Sequence, residues 1–287
     1  MHHHHDHKGN KRGLIIALLI TSGIIVLQFI GVLITNSMAL LADSAHMLND
    51  ALSLVISLIA MIIATKMASV KMTYGYHRFE ILAALFNGML LFVMAGLILI
   101  EAYERVLHPA SVNSLTMVVV AFIGFVANLL SAWQMKSHGD VHNNVNLRSA
   151  YLHILGDALS SIGVIIGGIL MTITQWYMVD PVISGFVALM ILRSGWIVVK
   201  PAIHILMEGT PSTLNPKEVQ QSIESITGVI DVHDLHIWTI TSGMDVFTCH
   251  LLVQDDLGSQ QILQETLSKL EKEFNITHAT IQVETKG

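Results

Sequence analysis

Met38-Ala-Leu-Leu-Ala-Asp-Ser-Ala-His-Met-Leu-Asn-Asp50 is an apolar run that carries an imidazole and two carboxylates where a membrane helix ordinarily has neither. His46 and Asp50 lie four residues apart, so a helix points both from one face, with Cβ atoms about 5–6 Å apart. The same spacing returns in His153-Ile-Leu-Gly-Asp157, again inside apolar sequence. Two such faces brought together offer two nitrogens and two oxygens, the donor types and number of a tetrahedral Zn²⁺ site. A carboxylate near the centre of a bilayer costs about 2.5–3.5 kcal/mol on insertion scales, so two of them need a reason. A path for a metal ion is one. Hydrogen bonding between helices is the plainer reading of a single intramembrane His. It accounts less well for two copies at identical spacing. Asp43, three residues before His46, either orients a ligand imidazole or serves as a structural cap or an interhelical hydrogen bond.

Composition places this run in a membrane. The chain has 287 residues, of which 53% are hydrophobic and 13% charged, and its mean hydropathy is +0.62. A soluble domain carries about 25% charged residues. The net charge of −6 argues against nucleic acid as a partner, and the lone Cys249 against a disulfide framework. Sixteen histidines against fifteen Lys plus Arg lean toward transition-metal handling, since neutral imidazole is a common ligand. The opening Met1-His-His-His-His-Asp-His7 is either a purification tag or a native tail that collects metal ions. Basic residues directly before an apolar helix, with no small-residue cleavage site, argue against a signal peptide. No phosphate-binding G-x-x-x-x-G-K-[ST] and no H-E-x-x-H occurs, which argues against ATP hydrolysis and a zinc protease.

Six apolar stretches, 14–34, 38–65, 80–100, 114–135, 149–173 and 180–200, are each near or above the ~20 residues that span a bilayer as a helix. Basic residues fix the orientation. Lys8, Lys11, Arg12, Lys66, Lys71, Arg78, Lys136, Arg148 and Lys200 flank one set of helix ends, and Arg105 alone flanks the other. The expectation is a multi-pass protein of the cell membrane with both termini cytoplasmic. The second and fifth spans then run in opposite directions and bring their His/Asp pairs to similar depth, where a transporter binds its substrate. Gly163, Gly167 and Gly168 give the fifth span a small-residue face for close helix approach. Asn87 and Asn128, in mid-span, read as hydrogen-bonding links between helices.

Beyond Pro201 the composition becomes that of a soluble module. Residues 216–226 read as a helix capped by Asn215, 229–240 and 245–253 as strands around Ser242-Gly243, 259–274 as an amphipathic helix and 276–284 as a last strand. The domains expected are a His-rich cytoplasmic tail at 1–13, a six-helix transmembrane bundle at 14–203 and a small cytoplasmic α+β domain of αββαβ order at 204–287. In that domain His233, His250 and Glu284 form a possible regulatory metal site, solvated surface histidines being the other reading. Strict alternation along Asp231-Val-His-Asp-Leu-His-Ile-Trp238 puts His233 and His236 on opposite faces, so without a bulge they cannot both bind one ion.

Together these runs resemble the cation diffusion facilitator family, in particular its bacterial zinc, cadmium and cobalt efflux branch. The residues that carry the resemblance are Asn36 to Asp50, Tyr74-Gly-Tyr-His-Arg-Phe-Glu80, His153 to Asp157, Met207-Glu-Gly-Thr-Pro211 and His233 to Trp238. The resemblance implies a homodimer with a metallochaperone-like, ferredoxin-like cytoplasmic domain, and proton-coupled metal export by alternating access. It maps the family's transport site onto His46, Asp50, His153 and Asp157, cytoplasmic ligand positions onto His233 and His250, and an interlocking charge pair onto Arg78 with Glu208. Gln282 stands where some relatives have His, and Ala68 to Arg78 offers only His77 for a loop site known in one branch.

The function expected is a zinc efflux antiporter, with Zn²⁺ (and Cd²⁺ or Co²⁺) as transported ion, Zn²⁺ also as a regulatory ion, protons as counter-ion and no organic cofactor. The alternatives are a membrane metalloenzyme or a membrane-anchored metal sensor using the same His/Asp site. A closed set of four protein ligands disfavours the enzyme, because catalytic zinc keeps one position open. A sensor leaves the buried carboxylates unexplained.

Overall fold

Backbone polar groups in lipid find no water, so apolar sequence that enters a bilayer closes its own hydrogen bonds as helix. The computed structural model describes residues 22–138, 145–241, 243–254 and 258–285, apart from the side chains of residues 135, 137, 138, 145–150 and 153. Its apolar helices are α1 (Ser22–Thr35), α2 (Met38–Ala64), α3 (Phe79–Leu107), α4 (Ser114–His138), α5 (Val145–Thr174) and α6 (Val179–Leu206). Helices α2 to α6 are each long and apolar enough to cross a membrane. Helix α1 is shorter over its described residues, and 14–21, the start of the expected first span, lie outside them. Helix α3 runs beyond its apolar window to Leu107, its last turns supported by a 3.2 Å Arg105–Glu101 pair one turn apart. Helix α6 continues through Pro201 to Leu206, so the proline removes one backbone donor without ending the helix.

The chain divides into two compact units, residues 1–55 with 87–196 and residues 56–86 with 197–287. In the first unit, fully buried Asp180 at the start of α6 caps the start of α2. Ser37 Oγ and the backbone N–H groups of Met38 and Ala39 donate to its carboxylate at 2.6, 2.7 and 3.1 Å. An anion there answers the unpaired amides and the positive end of the helix dipole. Arg105 lies 3.8 Å from the same carboxylate and donates to both the backbone carbonyl and the side chain of Asn36. The starts of α2 and α6 and the end of α3 are thereby tied together. A Cβ on Gly167 would collide with Ile183 of α6, and one on Gly168 with Val118 of α4, so these two glycines permit the close packing of α5. Gly163 has nothing within 4 Å of that position and is not part of the contact. Asn87 Oδ1 and Asn128 Nδ2 are buried without a hydrogen-bond partner among the described residues, so those atoms do not make the expected links.

The second unit holds α7 (Pro216–Glu224), β1 (Val229–Thr241), β2 (Met244–Val253), α8 (Ser259–Phe274) and β3 (His278–Thr285). Asn215 caps α7 by accepting from Lys217 N at 3.2 Å, with Pro216 in the first turn. The sheet order is β1-β2-β3, with β1 antiparallel and β3 parallel to β2. Val219 and Ile223 of α7 and Leu270 of α8 pack with Val232, Ile237, Phe247, Cys249 and Leu251, so both helices cover one sheet face. The other face carries the histidines. Between His233 and His236 the register shifts, and Asp234 takes a left-handed conformation with φ 50°. That bulge inserts one residue, so Val232 and Ile237 are both buried while His233 and His236 are both exposed. Regular alternation, which would set the two histidines on opposite sides, is broken here by the bulge that the sequence reading left as its exception.

Candidate metal centre

Helix α2 places His46 and Asp50 one turn apart, with Nε2 and Oδ2 separated by 3.6 Å. Asp157 of α5 meets them: one ligand atom from each of the three residues lies within 4.8 Å of the others. Asp157 is buried, and the side chains of His46 and Asp50 are about a quarter exposed, at 26% and 24%. His46 Nδ1 is buried with no hydrogen-bond partner among the described residues, which leaves a ring otherwise poorly satisfied. Zinc–ligand bonds of about 2.0–2.2 Å would draw these donors closer than the cluster holds them. His153 sits in α5 one turn before Asp157, and its side chain lies outside the described residues. Asp43 does not orient the His46 ring by any hydrogen bond seen here. Its two oxygens accept from Ser160 Oγ of α5 at 2.6 Å and Gln28 Nε2 of α1 at 2.8 Å. Of the two readings offered by the sequence, the structure has the interhelical hydrogen bond.

A second cluster lies on the helix-free face of the sheet. His233 and His250 are register partners on β1 and β2, with ring centroids 5.4 Å apart. Glu284 reaches both from β3: its Oε1 is 2.8 Å from His250 Nδ1, and its Oε2 is 3.5 Å from His233 Nε2. One ligand atom from each of the three residues falls within 4.8 Å of the others. Two carboxylates that the sequence reading passed over join them. Asp231 lies 3.1 Å from His233 Nδ1, and Asp234 lies 3.0 Å from His236 and 3.7 Å from His250. Carboxylates beside imidazoles fix the ring tautomer and orientation. The density of Asp and His in 231–236 was the available signal. Gln282, the register partner of His250 on β3, donates to Glu284 at 2.9 Å and so braces that carboxylate.

Residues 14–207 match the cation efflux transmembrane domain, and residues 211–286 match the cytoplasmic domain of cation efflux proteins. The chain belongs to the cation efflux family, the cation diffusion facilitators. This cation efflux protein is a multi-pass membrane transporter and not an enzyme. It is 45% identical to the "Cadmium, cobalt and zinc/H(+)-K(+) antiporter" of Bacillus subtilis (strain 168), over 100% of this chain and 93% of that protein. Its identity to the "Metal cation efflux system protein CzcD" of Cupriavidus metallidurans is 42%, covering 98% and 89%. With the "Zinc transporter ZitB" of Escherichia coli (strain K12) it is 35%, covering 99% and 93%. In this cation efflux protein, Arg78 and Glu208 form an ion pair at 3.0 Å, joining two positions far apart in sequence.

Proposed function

We propose that this chain exports Zn²⁺ from the cytoplasm in exchange for protons, with His46, Asp50, His153 and Asp157 as the ligands of the transported ion. The observation that carries the reading is the meeting of His46, Asp50 and Asp157 ligand atoms within 4.8 Å on helices long and apolar enough to cross a membrane. Outside a metal pathway that cluster is a liability, since it desolvates carboxylates that repel each other.

The ligands bind Zn²⁺ deprotonated, so loading from the cytoplasm releases protons and protons from outside compete for the same atoms on release. An imidazole gains its proton over about pH 5–8, which makes the exchange responsive to a physiological gradient. The name of the Bacillus subtilis relative includes H⁺, in keeping with this coupling. Two nitrogens and two oxygens suit Zn²⁺ and, less tightly, Cd²⁺ or Co²⁺, rather than oxygen-seeking Mg²⁺ or Ca²⁺. The basic loops favour cytoplasmic termini, and the matched cytoplasmic domain favours a homodimer. The cluster of His233, His250 and Glu284 would hold a regulatory Zn²⁺, its donors already paired at hydrogen-bond distance and braced by Asp231, Asp234 and Gln282. Purified protein in liposomes, given zinc outside and a pH step across the membrane, tests the reading. It expects zinc flux that rises with the proton gradient.

A further inference from the structure

Asp43 is 2% exposed and spends both carboxylate oxygens on other helices. The bond to Ser160, at 2.6 Å, joins the two helices that carry the His/Asp pairs. The spacings on those helices correspond. Three positions separate Asp43 from His46, and three separate Asp157 from Ser160. Four separate His46 from Asp50, and four separate His153 from Asp157. Successive spanning helices alternate in direction, so α2 and α5 are antiparallel. A single register then sets Asp43 opposite Ser160, His46 opposite Asp157, and Asp50 opposite the position of His153.

We propose that the Asp43–Ser160 hydrogen bond is the fixed rung of this ladder, setting the register of α2 against α5 and through it the affinity and size preference of the transport site. The inference rests on the transport-site reading above. The two rungs below it carry the proposed ligands, among them the carboxylates of Asp50 and Asp157. A slip of one helical turn displaces a helix by about 5.4 Å, more than the whole spread of the cluster. The Asp43–Ser160 bond opposes that slip one turn from the ligands. Gln28 holds the other oxygen from α1, which carries no ligand, so its bond ties α1 to α2 and does not set α2 against α5. Asp43 and Ser160 are positioning residues that act through His46 and Asp157.

The test uses the full-length protein, with equilibrium Zn²⁺ binding in detergent and Zn²⁺ and Cd²⁺ flux in liposomes. Ser160→Ala should raise both the Kd and the KM for Zn²⁺ about tenfold, within the range by which residues without ligand contact modulate a site, with Vmax retained. The ratio of Cd²⁺ to Zn²⁺ flux should rise, because a slack register admits a larger ion. Ser160→Thr, which keeps the hydroxyl, should restore the parent values. Gln28→Leu should lower thermal stability and leave KM in place. A Ser160→Ala protein with parental KM and flux ratio would overturn the proposal, as would loss of Vmax alone or an equal KM shift in Gln28→Leu. Asp157→Ala, run in parallel, separates the two ideas. If that variant binds and transports zinc normally, the transport-site reading fails; if it is inactive while Ser160→Ala matches the parent, only the register proposal fails.

Discussion

Thr241, at the end of β1, donates a 2.7 Å hydrogen bond to Glu80 in the first turn of α3, joining residues 161 positions apart. This half-buried, charge-assisted bond and the exposed Arg78–Glu208 pair tie the start of α3 and the residue before it to later parts of the chain. They differ in strength. A hydrogen bond to a charged group contributes about 1.5–3 kcal/mol, whereas an exposed ion pair contributes about 0–1 kcal/mol. Thr241→Val should therefore lower the unfolding temperature of the detergent-solubilised protein clearly more than Arg78→Ala does. Equal shifts would show that the Glu80 bond contributes little.

Residue 46 should govern ion choice. Replacing His46 with Asp exchanges a single-donor imidazole for a carboxylate that can bind in bidentate fashion, and it adds negative charge. Cd²⁺, which tolerates higher coordination, should gain on Zn²⁺, and transport should survive. The measurement is the ratio of Cd²⁺ to Zn²⁺ flux in His46→Asp against the parent under one pH gradient. An unchanged ratio in an active variant would mean that residue 46 does not touch the ion.

The cytoplasmic cluster should bind zinc independently of the membrane site. In an Asp157→Ala background, saturating Zn²⁺ should still raise the unfolding temperature, since an ion that binds only the folded state stabilises it by mass action. Adding His250→Ala removes the imidazole nearest Glu284, and the residual shift should largely vanish. A shift that persists undiminished would place the bound ion elsewhere.

Cys249 should be chemically silent in the native protein. It lies on β2 facing the core, and burial pushes its thiol up from 9.0 to about 12. The folded state thus holds the proton more tightly than the unfolded chain does. This contribution leaves stability unchanged below pH 9.0 and lowers it progressively as pH rises from there toward about 12. Iodoacetamide at neutral pH should label Cys249 only on unfolding. Rapid labelling of the folded protein would show that the sheet opens locally.

Much of the architecture is legible in the sequence because each element carries its own signal. Hydropathy marks the membrane helices, Asn215-Pro216 marks the start of α7, and the spacing of Ile262, Leu263, Leu267 and Leu270 marks α8. What stayed hidden depends on distant partners. The bulge at Asp234 breaks an alternation that reads as perfect, and only the pairing with β2 requires the extra residue. Asp180 gives no sign of capping a helix that begins 142 positions earlier. The residues proposed as the transport site stand out as two copies of one His/Asp spacing. The Asp43–Ser160 rung was not, because a single serine in an apolar helix carries no distinguishing pattern.

Zinc flux into liposomes under an imposed pH gradient, measured side by side for the parent and for Asp157→Ala, tests the central claim most directly. The parent should move Zn²⁺ at a rate that follows the gradient. The Asp157→Ala protein, folded and equally reconstituted, should move none, since it lacks an oxygen of the cluster and loses no packing residue. Undiminished zinc flux through Asp157→Ala, or parental flux indifferent to the gradient, would contradict the account.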